Sequence, residues 1–226
     1  MELKGKIINF LGDSITQGCF EFFRVGDGFD TVFDRESSYP SHLSRLLAER
    51  YPRAAVNIVN AGISGDNSLG GLRRLESDVI RFSPDLTVVC FALNDSMAGM
   101  DGLEKFKDNV RSIVKALKDS GGEVIVLTPN MMPEHPSPLV TDSVLGDLAK
   151  TLSELQRNGV VDAYVEAEIE AGRESGAVIC DVYAEWKRMA RDGRDIESLL
   201  ANRINHPTRE MQKLFATSLL DVMCAE

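Results

Sequence analysis

Five short apolar runs rich in β-branched residues punctuate the chain, at residues 7–11, 56–59, 86–92, 124–127 and 177–180. None sustains the alternation of a strand with one wet face, so each reads as a strand buried on both sides of a parallel sheet. Between them the period lengthens to that of a helix. Residues 39–51 repeat Leu43, Leu46 and Leu47, residues 69–82 form a second helix, and residues 103–118 align Phe106, Val110, Ile113, Val114 and Leu117. A further helix carries Val144, Leu145, Leu148, Leu152 and Leu155, and another covers residues 160–174. The last helix starts at Pro207 and presents Met211, Leu214, Phe215 and Leu219. Pro40 and Pro207 suit a first helical turn, where a missing N–H costs nothing. Strands alternating with helices predict an α/β architecture, and 226 residues without repeats or a low-complexity linker fit one domain over residues 1–226.

Two connections interrupt this pattern. Residues 19–38 hold Phe20, Phe22, Phe23, Phe29 and Phe33, half of the 10 phenylalanines, and read as a long loop. Residues 129–138 hold four of the 8 prolines, with His135 among them. Both follow strands and so are expected at the carboxyl edge of the sheet, where open α/β folds bind ligands. The phenylalanine segment either lines a hydrophobic pocket or serves as a flap or subunit contact.

Charge narrows the partners. Lys and Arg number 25 against 35 Asp and Glu, a net charge of −10, which disfavours coverage of a phosphate backbone. No apolar stretch approaches the roughly 20 residues that cross a bilayer. The start, Met1 to Lys6, runs into the first strand without a signal-peptide core, which predicts a cytoplasmic protein. Cys19, Cys90, Cys180 and Cys224 are spread too widely for a zinc site or redox pair and are expected to be reduced and mostly buried.

Candidate chemistry comes from four short segments. Gly12-Asp13-Ser14-Ile15 ends the first strand with a serine at its tip; Thr16 departs from the G-x-S-x-G elbow. Asn60-Ala61-Gly62-Ile63-Ser64-Gly65-Asp66-Asn67 follows the second strand and can turn backbone N–H groups toward a shared point. Ala92-Leu93-Asn94-Asp95 offers an amide donor after the third, and Asn202-Arg203-Ile204-Asn205-His206-Pro207 sets an imidazole ahead of the last helix. A serine, two donor sources and an imidazole are the parts needed for acyl transfer. Asp13, Asp66 and Asp95 lack histidines at ligand spacing and read as shapers of their loops. His42 reads as a packing or surface residue, His135 as an exposed turn residue, and Glu166, Glu168, Glu170 and Glu174 as a solvated helix face.

In that order the four segments resemble the blocks of the SGNH hydrolases, the GDSL-type lipases and esterases, over residues 9–207. The resemblance implies a flavodoxin-like three-layer α/β/α sandwich around a five-stranded parallel sheet, and ester hydrolysis with no metal and no cofactor. It casts Ser14 as nucleophile, His206 as base, and Gly65 and Asn94 as oxyanion donors; Ile15 replaces the family's usual leucine. The implied partner is a small-molecule ester, foremost an O-acetyl group on a carbohydrate, with homo-oligomerisation left open. Alternatives are a lysophospholipase or thioesterase-type acylhydrolase, or a catalytically weak ligand-binding member. A phosphate-binding flavodoxin-like domain is disfavoured, because Gly12 to Gly18 lacks the necessary glycines and basic residues.

One position breaks the pattern. Where the family carries an aspartate three residues before the histidine, this chain has Arg203. The orienting group for His206 is therefore a backbone carbonyl, Asn202, or a distant acid such as Asp192 or Asp195.

Overall fold

The computed structural model describes residues 6–224, so the expectation drawn from the first few residues falls largely outside the described part. In chain order the elements begin with β1 (Ile7–Gly12), α1 (Ser14–Gln17), β2 (Cys19–Val25), β3 (Gly28–Phe33), α2 (Tyr39–Arg50), β4 (Asn57–Gly62), α3 (Ser68–Arg73) and α4 (Leu75–Asp78). They continue with β5 (Leu86–Cys90), α5 (Leu103–Asp119), β6 (Glu123–Leu127), α6 (Ser143–Arg157), α7 (Val160–Glu174), β7 (Val178–Cys180), α8 (Val182–Arg191) and α9 (Arg209–Cys224). Short 3₁₀ turns join several of them.

The five expected strands form one parallel sheet in the order β4-β1-β5-β6-β7, the flavodoxin-like arrangement. Ile8 on β1 lies opposite Ile58 on β4 and Leu86 on β5, which fixes the register at the centre. Every residue of β5 is buried, Thr87 included, as a largely apolar run in a central strand requires. Helix α2 packs with α9, while α5 packs with α3 and α7. The expected stripe of α5, from Phe106 to Leu117, is buried throughout. Among the described residues no helix is long and apolar enough to cross a membrane.

This strand order positions the site. Chain leaving β1 turns toward β4, whereas chain leaving β5 turns toward β6, so a crevice opens at the carboxyl ends of β1 and β5. Ser14 follows β1 and Asn94 follows β5.

Four local readings are corrected. Residues 19–33 form an antiparallel hairpin, β2 and β3 closed by a turn at Gly26 and Asp27, with Phe22 opposite Thr31. The helix expected over residues 69–82 is broken into α3, α4 and a 3₁₀ turn at Ile80–Phe82. It breaks at Arg74, whose guanidinium turns inward onto the carbonyl oxygens of Gly12 and Ala61. Pro207 precedes the last helix and bridges Leu200 instead of opening the first turn. Thr208 supplies the cap, its Oγ1 accepting from the Met211 N–H. Glu168 is fully buried, unlike exposed Glu166, Glu170 and Glu174, and accepts a hydrogen bond from the Phe91 N–H at 3.2 Å. Burial holds its carboxyl well above the ordinary range. Helix α8 was not anticipated; Asp181 caps it and Trp186 buries completely.

The four cysteines are free, three of them buried. At Gly62, which ends β4, a Cβ would be driven into the backbone of Gln17, the last residue of the helix that opens at Ser14. We expect Gly62→Ala to destabilise the protein by about 1–3 kcal/mol, the usual range for overpacking a rigid contact. Urea denaturation checks this, and an unchanged midpoint would contradict it.

Candidate active site

The tip of β1 passes directly into α1, whose N-cap is Asp13. Its Oδ1 accepts the Ile15 N–H at 2.9 Å, which fixes the turn that presents Ser14. Ser14 is nearly buried, 5% exposed. Its Oγ lies 3.0 Å from Nε2 of His206, although the two residues stand 192 positions apart.

His206 is 2% exposed and is held from two directions. Nδ1 lies 2.9 Å from the carbonyl oxygen of Phe20, on β2. A carbonyl can only accept, so Nδ1 carries the proton and Nε2 presents its lone pair to the Ser14 hydroxyl. The Phe22 ring, also on β2, packs against the imidazole with centroids 4.9 Å apart. Burial is the largest influence on the imidazole and lowers its pKa to about 4, against smaller opposing effects from the Phe20 carbonyl and the Glu21 charge.

Of the three orienting groups left open by the sequence, the carbonyl occupies Nδ1. Asn202 works on the loop instead: its Oδ1 accepts the N–H groups of Ile204, Asn205 and His206. Exposed Asp192 pairs with Arg188, and Asp195 accepts from the Glu197 N–H. Arg203 adopts a left-handed φ of 57° and reaches Glu197 at 3.0 Å. The strained backbone of Arg203 lies just before His206, as that of Ala92, with φ 86°, lies just before Asn94.

Three groups on the Ser14, Gly65 and Asn94 segments are potential donors. The backbone N–H groups of Ser14 and Gly65 have no acceptor among the described residues. Gly65 is exposed with φ +77°, a conformation that glycine adopts without strain. Asn94 spends one amide hydrogen on the Asp66 carbonyl at 2.8 Å. Its Nδ2 also lies 3.5 Å from Asp13 Oδ2, at the limit of a hydrogen bond. Burial, with the charges of Asp95 and Asp66, raises the Asp13 pKa to about 7 despite its bond from Ile15. Asp13, Asp66 and Asp95 all serve the loops: Asp66 accepts from the Asn67 N–H and from Arg74, and Asp95 from the Ser68 N–H.

Several contributors left no mark in the sequence. Arg74 ties Gly12, Ala61 and Asp66 together, so one guanidinium links the Ser14 and Gly65 segments. Gln17 accepts the Ser64 N–H at 2.6 Å. Asn130 opens the proline-rich segment and donates to the Asn205 carbonyl at 3.0 Å, which braces the loop bearing His206. His135 is exposed and lines a separate surface cavity with Arg194 and Glu197. His42 is half-buried beside Arg45.

Residues 10–214 match the sequence profile of the GDSL-like lipase/acylhydrolase family. An arylesterase of Vibrio mimicus is 26% identical over 137 residues, covering 60% of this chain and 67% of the relative. An acetylxylan esterase of Geobacillus stearothermophilus is 29% identical over 134 residues, covering 55% of this chain and 60% of the relative. The chain thus spans about two thirds or less of the relatives' lengths. The solved structure of an acetylxylan esterase from Geobacillus stearothermophilus superposes with a TM-score of 0.73 at 22% identity, covering 100% of this chain and 98% of the other. With its profile matched over nearly the whole chain, the protein belongs to the GDSL-like lipase/acylhydrolase family of ester hydrolases.

Proposed function

We propose that this chain is a serine esterase that cleaves small carboxylic esters, foremost O-acetyl groups on carbohydrates, through an acyl-enzyme on Ser14. The observation that carries the reading is the 3.0 Å approach of Ser14 Oγ to His206 Nε2, with Nδ1 engaged by a carbonyl. The acetyl preference is supported by the similarity to an acetylxylan esterase in both sequence and fold.

The chemistry follows from those contacts. As Ser14 Oγ attacks the ester carbonyl carbon, His206 Nε2 takes the hydroxyl proton, and the carbonyl oxygen becomes an oxyanion. The N–H groups of Ser14 and Gly65 and the Asn94 amide are the donors that receive that charge. Collapse breaks the bond to the leaving alcohol, and the imidazolium returns its proton to that oxygen. Water then repeats the sequence: His206 takes a proton from it, its oxygen attacks the acyl carbon, and the acid leaves as Ser14 regains its hydrogen. In the imidazolium both nitrogens carry protons, and Nδ1–H keeps its bond to the Phe20 carbonyl throughout.

A carbonyl in place of an aspartate keeps the tautomer but lacks the charge. In a serine protease, converting the aspartate to asparagine lowers turnover by about 10⁴, largely because the histidine adopts the wrong tautomer. An acceptor-only carbonyl avoids that part of the loss. What remains is weaker stabilisation of the imidazolium.

Wild-type protein is expected to hydrolyse p-nitrophenyl acetate and to be labelled by a fluorophosphonate at Ser14, with Ser14→Ala abolishing both; turnover surviving in that variant would contradict the reading. Acetyl esters should outpace octanoyl esters, and the reverse order would redirect the substrate assignment toward longer acyl groups. Asn94→Ala should lower kcat by about 100- to 1,000-fold, the range for a lost oxyanion donor, with circular dichroism unchanged. Because the base must be neutral, and burial depresses His206, the acid limb of kcat/KM should fall near pH 4 rather than near 6.5. A limb at 6.5 in initial-rate measurements would contradict a desolvated base.

A further inference from the structure

Resting on that reading, we propose that Arg209 is a positioning residue for the reaction: by clamping the base of the β2–β3 hairpin to α9, it holds the Phe20 carbonyl on His206. The need for such a clamp comes from where that carbonyl sits. Strands β2 and β3 pair only with each other and form a sheet separate from the central one. An isolated two-stranded hairpin is marginal in water. The partner of Nδ1 is therefore only as well fixed as the hairpin's attachment to the rest of the protein.

Beside the buried Cys19 and Phe20 side chains and an exposed Arg24–Asp142 ion pair, Arg209 makes that attachment at the base of the hairpin, from both sides. Its Nη1 and Nη2 donate to the two carboxylate oxygens of Glu21, at 2.6 and 3.1 Å. Glu21 directly follows Phe20. The Arg209 Nε donates at 2.8 Å to Asp34, which directly follows β3. The guanidinium also lies over the Phe20 ring, 4.3 Å from its centroid. A planar fork can satisfy a bidentate carboxylate, a second carboxylate and a ring face at once, and a lysine cannot. The side chain comes from the first residue of α9, three positions after His206, so one short stretch carries both the base and the clamp for its partner. The ion pairs hold both acids below the ordinary carboxylate range, so the clamp remains charged in the working pH range.

Exposure separates this role from a role in stability. The side chains of Arg209, Glu21 and Asp34 are 40%, 43% and 29% exposed, and ion pairs this accessible contribute little to folding. Loss of the clamp should therefore be felt at the imidazole. A released hairpin lets the Phe20 carbonyl and the Phe22 ring drift and admits water to His206, and misplacement by about 1 Å can cost up to about 100-fold in rate. The groups that face the imidazole are Ser14, the Phe20 carbonyl and the Phe22 ring, and Glu21 is the charge that acts on it.

The test compares wild type, Arg209→Gln, Glu21→Gln and the double variant with p-nitrophenyl acetate across pH, alongside thermal melts. Arg188→Gln, at an exposed ion pair away from the dyad, serves as the control. Expected are a fall in kcat of about 10- to 100-fold in each single clamp variant with little change in KM, a double variant no worse than the single ones, and near-native melting. In Arg209→Gln the acid limb should move up from near 4 toward 6.5 as water reaches the ring, and in Glu21→Gln it should move less, because the charge that raises the imidazole pKa is also removed. Clamp variants that keep the wild-type kcat and acid limb would overturn the positioning role, as would rates that fall only in step with melting temperature while the limb stays in place. A wild type with no Ser14-dependent turnover would instead overturn the esterase reading on which the clamp depends.

Discussion

The bond from His206 Nδ1–H to the Phe20 carbonyl is the constraint on which the site turns. It fixes the tautomer and ring orientation, and it joins two parts of the chain that the central sheet leaves separate. One is the loop before α9, shaped by three N–H bonds into Asn202 and braced by Asn130. The other is the hairpin, which inserts Phe22 against the imidazole from its own small sheet. Without that bond Nε2 has no reason to face Ser14, and the nucleophile proposed at the tip of β1 has no base.

A neutral orienting group has an electrostatic consequence. His206 is buried without an adjacent carboxylate, so desolvation prevails and the imidazole stays uncharged to about pH 4. Such a base is always in its working form at neutral pH, yet it has less driving force to take a proton than one poised near 7. In the proposed mechanism more of the acceleration then falls on stabilising the oxyanion, whose negative charge itself favours the imidazolium as it develops. The arrangement around that charge is correspondingly rigid: Arg74 links the Ser14 and Gly65 segments, and the Asp66 carbonyl fixes the Asn94 amide. Asp13, directly before the proposed nucleophile, retains its proton up to about pH 7 because it too is desolvated. A carboxyl that is neutral below that pH adds no full negative charge where the oxyanion forms.

The parallel sheet was legible because its central strands are buried on both faces, which leaves largely apolar runs such as residues 86–90. The hairpin was harder to see: Phe22 and Thr31 are sheltered while Phe23, Val25 and Phe33 are exposed, so its residues resemble a mixed loop even with the Gly26-Asp27 turn. Glu168 follows the helical period onto what reads as a wet face, and its partner, the Phe91 N–H, lies 77 residues away. Ser14, Asn94 and His206 could be singled out because their side chains carry chemistry. A backbone carbonyl has no such signature, so Phe20 could enter only as one of several groups able to replace the absent aspartate. Arg74 and Arg209 act through contacts that exist only after folding, in a chain where arginine is an unremarked surface residue elsewhere.

The central claim is a statement about where one proton resides, and ¹⁵N NMR of labelled protein reads it directly. At pH 7 the account requires His206 to be neutral, with Nδ1 showing the shift and one-bond coupling of a protonated, hydrogen-bonded nitrogen and Nε2 that of an unprotonated one. A proton found on Nε2, or an imidazolium already formed at that pH, would mean that the Phe20 carbonyl does not orient the ring and that the base is assembled in some other way.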